Sequence, residues 1–313
     1  MAKIWIGEAR RRLLGLGRDG RWGYRAGSSP ASEPTALAAL ALLATEADDQ
    51  GADDPGREAG RGAGAWLAST RNRDGSIGVS PSLPTPGWPT PLVALAWAAL
   101  GGFEGPRAEA GRWLLASRGT TFTRDEDDPV GHDPTLVGWP WVESTHSWVE
   151  PTAMAMLALS REGQAGHPRV VEGVRVLRDR AIATGGWNLG NPIVFRTALR
   201  PFPAPSGLAL LALAAADKAS RSRSPVVAGG LAYLARALPE TLAPASLGWG
   251  VLGLGAWGVE PPWAADRLAS AYGAIAERRG SAVVELSLLL LAAGARSLDV
   301  LGCPARSEEA ADA

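Results

Sequence analysis

Two glutamates are the first candidates for chemistry. Glu33 and Glu150 each stand directly before a proline that opens an apolar Ala/Leu run, and Glu150 follows an aromatic loop, Trp139-Pro140-Trp141-Val142-Glu143-Ser144-Thr145-His146-Ser147-Trp148-Val149. A carboxylic acid held neutral by burial or by a second carboxylate can give a proton to a substrate. An acid held ionised by backbone N–H groups cannot, so the environment of Glu150 decides its use. His146, four residues earlier and in the spacing Glu143-x-x-His146, is a candidate to orient or protonate Glu150, or else a hydrogen-bonded packing residue. Asp127, within Asp125-Glu126-Asp127-Asp128, is a second acid candidate; its Arg, Thr, Gly and Pro surroundings equally describe a solvated turn. Trp139, Trp141, Trp148 and Trp88 supply aromatic faces. Such faces stabilise cations by roughly 1–2 kcal/mol each where water is excluded, and they also serve to wedge helix ends.

These residues need elements to hold them. Proline is tolerated in the first turn of a helix, where its missing N–H costs nothing, so Pro34 and Pro151 read as helix starts. Ser147 or Glu150 is expected to supply oxygens to the free N–H groups of that turn, and a carboxylate there meets the positive helix pole. The runs that follow are apolar on every side, which marks interior helices.

Weaker copies of this arrangement recur along the chain. Asp19-Gly20-Arg21-Trp22-Gly23 precedes Glu33-Pro34-Thr35, and Asp74-Gly75-Ser76-Ile77-Gly78 precedes Thr90-Pro91-Leu92. Gly185-Gly186-Trp187 precedes Ala204-Pro205-Ser206. With Thr35, Leu92, Thr152 and Ser206 as equivalent openings, the repeats fall 57, 60 and 54 residues apart. The stretch 46–64 reads as a polar, Gly-rich linker. Leu247-Gly248-Trp249-Gly250 reads as the Gly/Trp turn of a degenerate fifth repeat, and 264–277 with 286–293 as a sixth. Each unit is then an outer helix, a turn, a loop and an inner helix. Six pairs at about 50 residues each make an all-α, single (α/α)6 toroid over 1–303, its last two repeats degenerate, with a disordered acidic tail at 304–313.

Composition bounds the partners. Of 313 residues, 46% are apolar and 20% charged, the balance of a folded globular chain. A net charge of −1 gives no general attraction for nucleic acid. Cys303 is the one cysteine, which excludes an internal disulfide and a multi-thiolate metal site. His132, Asp133, Glu143 and His146 match no zinc spacing, and Gly185-Gly186-Trp187 lacks the lysine and strand of a phosphate loop; no cofactor is called for. Residues 1–12 are too charged for a signal peptide, and 241–259 holds five glycines and a proline, a poor spanning helix. The expectation is a cytoplasmic protein for which peripheral contact with a bilayer stays open.

The repeated order of aromatic-Leu, glycine and tryptophan resembles the QW repeat of squalene and oxidosqualene cyclases, whose α/α toroid is shared with protein prenyltransferases. The matches are Trp66-Leu67…Arg71…Gly75-Ser76-Ile77 and Val176-Leu177…Ala181…Gly185-Gly186-Trp187; both lack the glutamine, and the first also has Ile for Trp. Those cyclases open an inner helix with Asp-x-Asp-Asp-Thr-Ala and protonate an alkene from its middle Asp. Laid over Trp148-Val149-Glu150-Pro151-Thr152-Ala153, the resemblance puts Glu150 in that place, with Trp148 and Pro151 where the flanking Asp residues stand. It implies a Trp-lined pocket for an apolar, isoprenoid-like molecule, with Glu33 and Glu143 near its mouth. A non-catalytic toroid that binds a protein or peptide, and a metal-dependent prenyl-type transferase, are the alternatives.

Overall fold

The computed structural model describes residues 4–46, 54–124, 130–216, 224–277 and 282–303. Outer and inner helices alternate throughout. The first pairs are α1 (Ile4–Leu16) with α2 (Ser32–Ala44), α3 (Pro55–Ser69) with α4 (Pro89–Leu100), and α5 (Glu104–Ala116) with α6 (Val149–Arg161). The last are α7 (Pro168–Asp179) with α8 (Pro203–Ala216), α9 (Pro225–Ala237) with α10 (Pro244–Gly255), and α11 (Ala264–Ala276) with α12 (Val283–Ala293). Inner helices pack in the order α2, α4, α6, α8, α10, α12 and back to α2, so the ring closes. Each outer helix lies against its own inner partner or the neighbouring one, and α1 also meets α3 and α11. The six-pair toroid expected from the repeats is the fold observed. Extended structure among the described residues is limited to a hairpin, β1 (Ile193–Val194) and β2 (Thr197–Ala198), and isolated bridges. No helix among them is long and apolar enough to cross a membrane.

The inner ring is built from Ala and Leu because the ring is narrow. Ala36 to Leu42 in α2, Leu92 to Trp97 in α4 and Leu208 to Ala215 in α8 are almost wholly buried. Small side chains let these helices approach until backbones touch: a Cβ on Gly207 of α8 would collide with the carbonyl of Trp249 in α10. Prolines open α3, α4, α7, α9 and α10, and Asp54 caps α3 by accepting from Gly56 N at 3.0 Å.

Two expectations are corrected here. Residues 55–64 are helical, not linker: Gly60 and Gly64 face Leu100 and Phe103, and added methyl groups would collide there. Trp249 and Gly250 sit inside α10 and form no turn. The C-terminal segment also has a role that its composition concealed. Helix α13 (Ser297–Val300) and Cys303 lie across the C-terminal ends of the inner helices. Arg296 N donates to Ala44 O at 3.3 Å, Arg161 donates to Asp299 O, and the Cys303 thiol lies 3.7 Å from Leu211 O. That end of the ring is closed. The tail 304–313 lies outside the described residues.

Candidate active site at the ring mouth

The open end is organised by one bond pattern. In four repeats a hydroxyl in the first turn of the inner helix accepts a backbone N–H from the Gly/Trp turn that precedes it. Thr35 accepts from Trp22 at 3.1 Å, Thr90 from Ile77 at 3.0 Å, Thr152 from Trp139 at 3.0 Å and Ser206 from Trp187 at 2.8 Å. A proline precedes each: Pro34, Pro89, Pro151 and Pro205. Thr90, not Leu92, is therefore the second repeat's equivalent position. Sequence spacing misplaced it because Pro89-Thr90-Pro91 offers two prolines as helix starts. The turns lean on the next outer helix: Gly75 and Gly185 have φ of +90° and +97°, and a Cβ on either would strike backbone of Glu109 or Gly229.

Two residues before these hydroxyls stand Glu33, Trp88, Glu150 and Ala204. Helix α4 packs between α2 and α6, and the charge of Glu33 on α2 acts on Glu150 of α6. Burial pushes the Glu150 carboxyl up from 4.5 to about 7, and the Glu33 charge pushes it in the same direction. Burial also raises Glu33, opposed by a hydrogen bond from the Tyr24 hydroxyl. Tyr24 is raised in turn, first by burial and then by the Glu33 carboxylate. The turn at Tyr24 reaches the sixth repeat, with Val283 N donating to Tyr24 O at 3.1 Å and Arg25 bridged to Ala282.

For Glu150 this departs from an acid held ionised by N–H groups at the helix pole. Neither Glu33 nor Glu150 caps its helix, nor does Ser147, whose hydroxyl accepts from Gly138 N at 2.8 Å. Burial raises the Glu150 carboxyl in spite of its place in the first turn of α6. Tyr24 was missed because it lies in an unremarkable Gly-Tyr-Arg turn. Its signal was its place directly after Trp22-Gly23.

The other expected site residues separate into three groups. Trp139 is 2% exposed and wedged, its indole N–H donating to Leu114 O at 2.8 Å, with the Arg169 guanidinium 4.2 Å from its ring centroid. Trp22 and Trp187 make the same bond to Leu13 O and Leu177 O at 2.8 and 2.6 Å. Trp139 therefore joins outer to inner layer and lines no open pocket. Where Ile77 replaces the turn tryptophan, Trp97 of α4 donates to Gly64 O at 3.1 Å in its stead. Trp88 and Trp141 pack edge to face at 5.9 Å, and Trp88 N donates to Trp141 O at 3.1 Å. The gap these two repeats leave beside Trp88 and Trp139 is about 10 Å³, one water at most.

His146 is exposed and does not reach Glu150. Its ring packs against Phe122 at 5.6 Å and Trp148 at 6.0 Å, and the charge acting on Glu150 is that of Glu33. His146 and Trp148 line a separate cavity of about 170 Å³ on the loop side. Glu143 is exposed in the loop, away from both acids of the mouth in the bonding described. Asp127 lies outside the described residues. Among the described residues no three His, Cys, Asp or Glu side chains converge as a metal site requires.

No family model and no curated protein sequence matches the chain. Solved structures do. A variant of the type II terpene cyclase MstE from Scytonema, in complex with geranylgeranyl dihydroxybenzoate, aligns with TM-score 0.57 and 14% identity over 92% of this chain and 96% of its own. A protein from Actinoplanes aligns with TM-score 0.58 and 17% identity over 95% and 99% of the two chains. The ent-copalyl diphosphate synthase from Streptomyces platensis aligns with TM-score 0.53 and 19% identity over 87% of this chain and 50% of that one. At such identities the likeness is one of architecture: this chain has the α/α toroid fold of the terpenoid cyclase type.

Proposed function

We propose that the ring mouth binds an apolar, isoprenoid-like molecule and that Glu150 delivers a proton to it. One observation supports the reading: at the start of an inner helix of a cyclase-type toroid, burial and the Glu33 charge raise the Glu150 carboxyl to about 7. A carboxylic acid near 7 is a reluctant donor, so the acceptor has to be favoured by what surrounds it. Proton transfer to an alkene places a cation beside newly ionised Glu150 and the Glu33 carboxylate. The like-charge repulsion between the acids is then relieved by the cation, and the stabilisation is present only once charge has developed. Tyr24 holds the Glu33 carboxylate in place for this. Incubation with linear isoprenoid alcohols, with native mass spectrometry of carried lipid in parallel, tests the reading. Cyclised product from the wild-type chain and none from Glu150→Gln is expected.

A second reading has its own support. The tryptophans proposed to line a pocket serve partly as wedges, and the inner helices are closely packed. On that reading the toroid is a scaffold for a protein or peptide. Absence of both carried lipid and turnover, with Glu150→Gln as inert as wild type, favours it.

A further inference from the structure

Helix α7 and the residue that ends it carry two buried arginines: both leave Nε without a hydrogen bond, and only Arg180 also leaves Nη1 without one. Arg169 is 4% exposed and well supplied with acceptors: Val137 O at 2.7 Å, Ser117 O at 2.9 Å, Gly138 O at 3.1 Å and the Glu172 carboxylate at 3.2 Å. It is a clamp that holds the aromatic loop. Arg180 is 3% exposed, and no hydrogen-bond acceptor reaches its Nε or Nη1. The nearest carboxylate, Asp179, lies 3.7 Å from Nη1, beyond hydrogen-bond distance, and both its oxygens already accept from Asp133 N at 3.1 and 3.2 Å. A buried guanidinium whose one ion pair is a long 3.7 Å contact, with no hydrogen bond to Nε or Nη1, leaves room for an acceptor from outside.

Arg180 lines the cavity of about 170 Å³ described above, beside Phe122, His132, His146 and Trp148. The buried Nδ1 of His132 is also without a partner. An internal cavity of about 150 Å³ holds one benzene ring, which sets the size of the occupant. The Arg fork matches a carboxylate bidentately, and the three rings of Phe122, His146 and Trp148 suit a flat apolar body. We propose that this loop-side cavity is a binding site for a small one-ring carboxylate, held by Arg180. It stands on Arg180 and the cavity alone and is independent of the proton-transfer reading, which concerns Glu33 and Glu150.

Benzoate is the probe, titrated calorimetrically and by thermal unfolding into the full chain, with inorganic phosphate as comparison. Saturable binding of benzoate with a rise in Tm is expected, weakened at least about tenfold in Arg180→Met. Without ligand, Arg180→Met is expected to be no less stable than wild type, since it removes an uncompensated buried charge. Phe122→Ala, an exposed-rim change that leaves the fold intact, is expected to weaken benzoate about three- to tenfold and so serves if Arg180→Met does not fold. Failure of benzoate to bind, equal binding by Arg180→Met, unchanged binding by Phe122→Ala, or phosphate binding as tightly as benzoate overturns the assignment.

Discussion

Replacing Glu150 by glutamine keeps the shape of the side chain and removes its titration. In the folded chain the carboxyl is raised from 4.5 to about 7. Between those pH values the folded state binds the proton more tightly than the unfolded chain, so wild-type stability falls as pH rises through the window. Each tenfold change in proton affinity is worth about 1.4 kcal/mol, which gives a loss on the order of 3 kcal/mol by pH 8. Glu150→Gln escapes that loss. The variant is therefore expected to match wild type near pH 4 and to exceed it by roughly 3 kcal/mol at pH 8. With a urea m-value of about 3 kcal/mol/M, the unfolding midpoints separate by about 1 M. Urea unfolding of both proteins at intervals from pH 4 to pH 8 reads this directly. A difference that does not change with pH, or a variant less stable than wild type at pH 8, refutes the claim that burial raises this carboxyl.

Other perturbations probe the neighbours of that acid and the frame that holds it. Glu33→Gln is expected to lower the Glu150 midpoint while leaving it above 4.5, because burial is the larger cause; carbon-13 titration of the side-chain carboxyl measures it. Thr152→Val strands the buried Trp139 N–H and is expected to cost about 1–3 kcal/mol in urea unfolding. Trp139→Ala removes a wedge and its bond to Leu114 O, and about 3–5 kcal/mol of stability is expected to go with it. Gly207→Ala sets a methyl group against backbone of α10, which cannot turn aside as a side chain can. A loss of at least about 1–3 kcal/mol is expected, seen as a lower urea midpoint.

Much of the fold was legible because its cause is local. A proline followed by an all-apolar Ala/Leu run has few fates other than an interior helix, and four such runs at regular spacing, followed by two degenerate copies, leave a ring as the compact solution. Where the reading failed, composition pointed the wrong way. Glycines at 56, 60, 62 and 64 suggest a linker, yet Gly60 and Gly64 let α3 approach Leu100 and Phe103, and Gly62 lies against backbone of Asp19 and Gly20. Trp249-Gly250 has the composition of the repeat's turn but lies in α10, where Gly250 accommodates Leu238. The site was legible in its members and not in its electrostatics. Glu33 and Glu150 were marked by their prolines, but the burial that neutralises Glu150 depends on helices far apart in sequence closing into one mouth. Of the two readings of His146, partner of Glu150 or packing residue, its ring contacts agree with packing: the chain enters α6 at Val149 and leaves His146 exposed against Phe122 and Trp148. Arg180 gave no signal in sequence; its lack of partners is a property of the folded loops.

The proposed reaction is tested most directly by running the incubation with a linear isoprenoid in deuterated water and analysing the product by mass spectrometry. Proton delivery from Glu150 predicts one solvent-derived deuterium on a carbon of the cyclised product, and no such product from Glu150→Gln. Product without deuterium, or the same labelled product from Glu150→Gln, contradicts it.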